Sequence, residues 1–215
     1  LDWFLAEVVT PAWHFQHDAG RPFAETSAEL IARFPAEAEL IRQYGPRFNE
    51  TVPGAIPGMI ELVEQLAAAC VPLFAITNFS HEFWPPFRAT VADVFDRFRD
   101  IVVSGAEKLA KPDPAIYALA ARRFGHAPER MLFIDDSEAN VAAARVGRDL
   151  AGATRTAVDH ELAAGVAAGI VAWLGGLAMY TGMGAAFAAA RPSSPRSCST
   201  SPLSITSWLV APRCT

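Results

Sequence analysis

The chain has 215 residues with a formal net charge of −5, 52% of them hydrophobic and 19% charged, enough for one ordinary domain and a smaller appendage. No basic run and no alternation of basic with aromatic residues occurs, which argues against a nucleic-acid partner. Three widely spaced cysteines, Cys70, Cys198 and Cys214, exclude a disulfide framework and fit a reducing cytoplasm.

Residues 1–9 carry apolar side chains on a helical period that Pro11 ends, with no basic segment or long apolar core of a secretory signal. Residues 23–34 and 36–44 are rich in helix formers and are punctuated by Pro22, Pro35, Gly45 and Pro46. Between the first two runs lie Trp13, His14, Gln16, His17, Asp18 and Arg21. His14 and His17 have an H-x-x-H spacing but lack the Glu or Cys partners of a metal site, so packing or surface roles come first. Arg21, directly after Gly20, is a candidate contact for an anionic substrate, against the default of a solvated arginine.

The Pro- and Gly-rich stretch at 51–58 reads as a linker. A helix is expected over 59–69, a buried strand over 71–76 closing on Thr77-Asn78, and a helix over 80–98 interrupted at Pro85-Pro86. A short strand at 101–103 leads into a loop with Lys108 and Lys111. Asp113 then caps a helix over 115–124 that Pro114 starts and Gly125 ends. Residues 131–134 form a further buried strand that stops at Asp135-Asp136. Strands and helices alternating at this spacing imply an α/β fold, a doubly wound parallel sheet with helices on both faces.

Ligands of such sheets bind beyond the carboxyl ends of the strands. Thr77-Asn78, Lys111 and Asp135-Asp136 all fall there: a hydroxyl, an amide, an ammonium and two acids. The hydroxyl and ammonium suit phosphoryl oxygens, and two adjacent hard carboxylates suit Mg²⁺. Helix capping by Asp136 or Ser137 is the competing reading of the acidic end.

That ordered set resembles the haloacid dehalogenase superfamily, in the branch with a helical cap inserted before its second motif. Residues 75–78 resemble the second motif, residues 110–114 the third, and residues 133–137 with Asn140 the fourth. The resemblance implies a Rossmann-like core at 53–147 and a partial helical cap at 1–52 that selects substrates. It implies Thr77 and Lys111 as catalytic groups, Asp135 and Asp136 as Mg²⁺ ligands, and Asn78, Trp13 and Arg21 as substrate contacts, with Gln16 and Asp18 as further specificity candidates. The expected activity is Mg²⁺-dependent phosphatase chemistry on a small phosphorylated metabolite through an aspartyl-phosphate. The paired acids set it apart from the metal-free 2-haloacid dehalogenases, whose fourth motif lacks such a pair.

Two departures stand out. The family's first motif, an aspartate pair after the first strand, has no counterpart, because Asp2 precedes an apolar helical run. The chain therefore reads as truncated at its N-terminus, without its central strand and nucleophile, and as inactive in this form. From Leu162 onward there are three arginines and no Asp, Glu or Lys. Residues 148–215 are thus an atypical tail, with the composition a shifted reading frame gives in a GC-rich gene. Residues 163–190 carry no charge and are long enough to cross a bilayer, but their Ala- and Gly-rich composition makes them a weak membrane candidate. Residues 192–215 read as disordered. The alternatives carried forward are a 2-haloacid dehalogenase-like hydrolase acting on a halogenated acid and a non-catalytic phosphate-binding protein.

Overall fold

The structure, a computed structural model, describes residues 2–52, 54–55, 58–135, 137–150 and 206–210. The chain opens with a π-helical turn at Phe4–Val8, followed by α1 (Pro11–Asp18), α2 (Phe23–Arg33) and α3 (Ala38–Tyr44). Most of the stretch around His14 and His17, which had no assigned element, is α1. Pro11 stops the preceding turn and also starts this helix at its first position, with Thr10 Oγ1 accepting from the Trp13 N–H at 3.1 Å.

Next come α4 (Met59–Ala68), β1 (Leu73–Thr77), α5 (Trp84–Thr90), α6 (Ala92–Phe95) and β2 (Asp100–Val103). The single interrupted helix expected over 80–98 is two short ones. Pro85 and Pro86 lie in the first turn of α5, where a missing N–H is harmless, and the break falls at Val91 instead. The described elements end with α7 (Ser104–Glu107), α8 (Pro114–Phe124), β3 (Leu132–Ile134), α9 (Glu138–Leu150) and β4 (Thr206–Val210). As expected for α8, the Asp113 carboxylate caps its start by accepting from the Ala115 N–H at 2.8 Å, and Gly125 ends it at φ +67°.

The four strands run in the order β2-β1-β4-β3. β1 and β2 are parallel, with Thr77 opposite Val103. β4 is antiparallel to both β1 and β3, pairing Thr77 with Thr206 and Ile134 with Trp208. The α/β class therefore holds, but the sheet is not wholly parallel. Part of the segment read as disordered supplies a strand. Thr206, Trp208 and Val210 are β-prone types, and facing strand edges with unpaired N–H and C=O groups accept such a segment. The 163–190 stretch, Cys198 and Cys214 lie outside the described residues. Among the described residues no helix is long and apolar enough to cross a membrane.

β1 is buried on both faces, and its alternation divides the core in two. Phe74 and Ile76 pack with Val102, Ile116, Tyr117, Ala120 and Phe124, and Phe74 stacks on Phe124 at 4.5 Å between centroids. Leu73 and Ala75 face the larger cluster, which includes Met59, Val63 and Phe79. That cluster continues into the N-terminal helices, where Phe48 lies 5.6 Å from Phe79 and stacks on Phe83 at 5.0 Å. The helical segment and the sheet thus share one apolar core across the linker.

The two also meet at the end of α1. Ser104 Oγ donates to the Asp18 carbonyl at 2.6 Å and accepts from the Phe79 N–H at 2.9 Å. A side chain on Gly105 would stand 2.5 Å from the His81 nitrogen and 2.7 Å from the Phe79 oxygen. Both are main-chain atoms that cannot swing aside. Gly105→Ala is accordingly expected to cost about 1–3 kcal/mol, read as a lower urea midpoint; an unchanged midpoint would show that the joint has room to relax.

Candidate active site

β1 delivers Thr77 and Asn78 to its carboxyl end, the loop after α7 delivers Lys111, and β3 delivers Asp135. Lys111 is 2% exposed. Its Nζ donates to the Ile76 carbonyl and to Asp135 Oδ2, each at 3.1 Å. Burying an ammonium is costly unless it is paired and hydrogen-bonded, and both conditions are met here. Thr77, wholly buried, follows the carbonyl that Lys111 engages.

Asn78 holds the lysine from behind. Its Oδ1 accepts from the Lys111 N–H at 2.8 Å and its Nδ2 donates to the Lys111 carbonyl at 2.9 Å. One side-chain amide thereby ties β1 to the Lys111 loop. One Nδ2–H and the Oδ1 of Asn78 are thereby engaged by the Lys111 main chain.

Asp135 is 4% exposed and accepts from three donors. Oδ1 takes the Ser137 N–H at 2.8 Å and Asn140 Nδ2 at 3.0 Å. Oδ2 takes Lys111 and, at 3.1 Å, Asn140 Nδ2 again. These contacts pin the carboxylate. Asp136, its expected partner in holding Mg²⁺, lies outside the described residues. Among the described residues no group of three or more His, Cys, Asp or Glu side chains could hold a metal ion. Ser137 Oγ accepts from the Asn140 N–H at 3.4 Å at the start of α9, the capping role weighed for it.

Two residues widen the cluster beyond the expected set. Asn140 was visible only as part of a motif, although five positions after Asp135 puts it one turn into α9, facing back. Tyr117 OH donates to the Asn140 carbonyl at 2.9 Å. Burial first, and the Asp135 charge second, hold that hydroxyl above its ordinary pKa, so it stays a donor.

Trp13 and Arg21 lie elsewhere. Trp13 is a core residue of the helical segment: its Nε1 donates to the Thr26 carbonyl at 3.2 Å and its ring meets His17 and Tyr44 edge-on at 4.6 and 5.0 Å. Arg21 bonds Glu29 Oε1 at 2.7 Å and Gln16 Oε1 at 2.5 Å, and faces Glu25 at 3.9 Å. Its guanidinium is already matched by acids. His14 and His17 do not converge on a common point: His14 Nδ1 bonds Tyr44 OH at 2.8 Å and His17 Nε2 bonds Thr26 Oγ1 at 2.6 Å. Burial depresses His14 to a pKa of about 3, helped by His17, and His17 to about 4, helped by Arg21. Both rings are neutral.

Asp18, the last residue of α1, does reach the cluster. It is 7% exposed, accepts from the Ser80 N–H and lies in the field of Lys111. Burial raises its pKa to about 7, while Lys111 and that hydrogen bond pull the other way.

A family model described as haloacid dehalogenase-like hydrolase matches residues 8–147. The chain belongs to the haloacid dehalogenase-like hydrolases. No curated protein and no solved structure matches it. The family match spans α1 to α3 as well as β1, β2 and β3 but not β4, so in this hydrolase the helix that ends at Asp18 and the loop that carries Lys111 fall within one homologous unit.

Proposed function

We propose that this haloacid dehalogenase-like hydrolase takes the phosphoryl group of a small phosphorylated acid at the carboxyl ends of β1 and β3, with the phosphatase rather than the dehalogenase chemistry of its family. The observation that carries this reading is a buried lysine, fixed on three sides, beside a buried threonine at a strand end. The Lys111 ammonium offsets phosphoryl charge in a site with little water to screen it, and the Thr77 hydroxyl donates to a phosphoryl oxygen. Asp135, Asn78 and Asn140 hold the lysine in place. Residues 1–52, read as the cap, shelter the site and belong with a cytoplasmic enzyme.

Mg²⁺ belongs to the same proposal through the Asp135-Asp136 pair: Asp136 is its ligand and Asp135, engaged by Lys111 and Asn140, backs it. Bound there, the cation would neutralise phosphoryl charge. Covalent transfer also needs a carboxylate free to attack. Among the described residues the strand-end carboxylate is Asp135, and its oxygens are engaged. This chain is therefore proposed to hold a phosphoryl group without hydrolysing it.

The test is calorimetry with inorganic phosphate, beside assays of phosphate release from small phosphorylated acids with Mg²⁺ and of halide release from 2-chloropropionate without metal. Binding with neither release is expected. Phosphate release would keep the phosphatase and remove the inactivity; metal-free halide release would put the dehalogenase in its place. If phosphate does not bind, the reading fails.

A further inference from the structure

We propose that the cleft between the N-terminal helices and the segment after β1 binds a small organic ammonium ion, held by Glu82 and Asn49 against the rings of Phe23 and Phe83. The cleft has a volume of about 260 Å³, with Phe23, Gly45 and Asn49 on the helical side and Glu82 and Phe83 on the other. That is below the roughly 300–1,000 Å³ of pockets for drug-sized ligands, so it suits a single ring or a short chain. None of these residues belongs to the strand-end cluster. The inference therefore goes beyond the phosphoryl-binding reading and does not rest on it.

Glu82 gives the cleft its sign. Its Oε2 accepts from the Phe23 N–H at 2.7 Å, which ties the start of α2 to the turn after β1. Among the described residues no lysine or arginine pairs with it: Arg21 is matched by Glu29, Arg47 by Glu50 and Arg88 by Asp96. His17, behind the two phenylalanine rings, is neutral. Asn49 supplies an unmet acceptor. Its Oδ1 is buried without a hydrogen-bond partner among the described residues, a state that native structures rarely leave unrelieved. The asparagine χ2 torsion is soft, so the amide can turn that oxygen to a donor entering the cleft. Phe23 and Phe83 meet edge-on with centroids 5.8 Å apart, and Gly45 lies so close to Phe23 that a side chain there would stand 2.8 Å from the ring. Aromatic faces attract a cation and cover its apolar body. A carboxylate, a bare acceptor and an aromatic wall together favour a positively charged donor, and Glu82 repels an anion.

The probe is benzylammonium, titrated calorimetrically into the unaltered chain near pH 7 beside benzyl alcohol, which has the same ring and no charge. One benzylammonium per chain is expected, bound about fivefold more tightly than the alcohol, the ratio an exposed ion pair supports. Glu82→Gln keeps an acceptor for the Phe23 N–H and should lower the affinity for benzylammonium to that for the alcohol. Asn49→Ala removes the acceptor and should weaken both ligands about threefold. No saturable binding, equal affinities for the two probes, or an unchanged affinity in Glu82→Gln overturns the proposal. Should Glu82→Gln fail to fold, the unaltered chain still decides: nuclear Overhauser contacts from the benzyl protons to the Phe23 and Phe83 rings are expected, and binding without them overturns the site. Lys111→Met/Asp135→Asn should bind benzylammonium as the unaltered chain does. Loss of binding there would place the cation at the strand-end acids and overturn this inference, whereas the phosphoryl reading stands or falls on phosphate binding alone.

Discussion

Lys111→Met is expected to lower folding stability by about 3–5 kcal/mol, the range for removing one partner of a buried ion pair. The Lys111 and Asp135 side chains are 1% and 0% exposed, and their 3.1 Å contact has no water to take over its role. Methionine fills nearly the same space as the lysine stem, so little of the loss comes from packing. It comes from an uncompensated carboxylate and from the Ile76 carbonyl, which loses its donor. The double variant Lys111→Met/Asp135→Asn should recover at least half of the loss. The amide that replaces the carboxylate would still offer one oxygen to Ser137 and Asn140, and no buried charge remains. Urea unfolding of the two variants reads both numbers. A single-variant loss below about 1 kcal/mol would mean that the pair is solvated and the cluster open.

Acid should unfold the protein well before general carboxylate protonation does so. His14 and His17 have folded pKa values of about 3 and 4, below the ordinary 6.5. A depressed folded pKa contributes stability that is present above 6.5 and lost as the pH falls toward the folded value. Asp18 has the opposite sign: raised from 3.8 to about 7, it favours the folded state below 3.8 and loses that contribution as the pH rises to 7. Between pH 6.5 and 4 the unfolded chain therefore binds two protons at the histidines and the folded chain one at Asp18. The net difference is one proton, and stability should fall by about 1.4 kcal/mol per pH unit across that window. In Asp18→Asn the opposing proton is gone and the slope should approach twice that value. Urea midpoints at several pH values read the slope; a flat profile from pH 6.5 to 4 would contradict the neutral, buried state of the two rings.

The strand ends are legible in the sequence because their signals are local. Thr77 and Asp135 each close an apolar run, and period and turn residues give those strand ends away, whereas Lys111 is placed by a loop between β2 and α8. Tertiary choices were not legible. Asn78 pairs with the Lys111 main chain across 33 positions, and nothing in a threonine-asparagine dipeptide distinguishes that from a ligand contact. Trp13 and Arg21 look available in the sequence because Pro11 there marks the end of one helical run, whereas in the fold it also starts α1, the helix that buries Trp13. Asp18 is placed by the end of α1 and the Ser104 clamp, neither of which the sequence marks. β4 was hidden by composition, since a five-residue β-prone run inside a Ser/Pro-rich tail carries no signal that two strand edges are waiting for it. Along the sheet, by contrast, the alternation of β1 between two cores followed from its unbroken apolar run.

The central claim is that the buried Lys111 is an anion site for a phosphoryl group. It is tested most directly by titrating inorganic phosphate into the unaltered chain and into the folded, charge-neutral Lys111→Met/Asp135→Asn variant at one pH, near 6. The unaltered chain should bind phosphate, and the variant should bind it at least about tenfold more weakly, the equivalent of about 1.4 kcal/mol. Equal affinities in the two proteins would place the phosphate elsewhere and contradict the account.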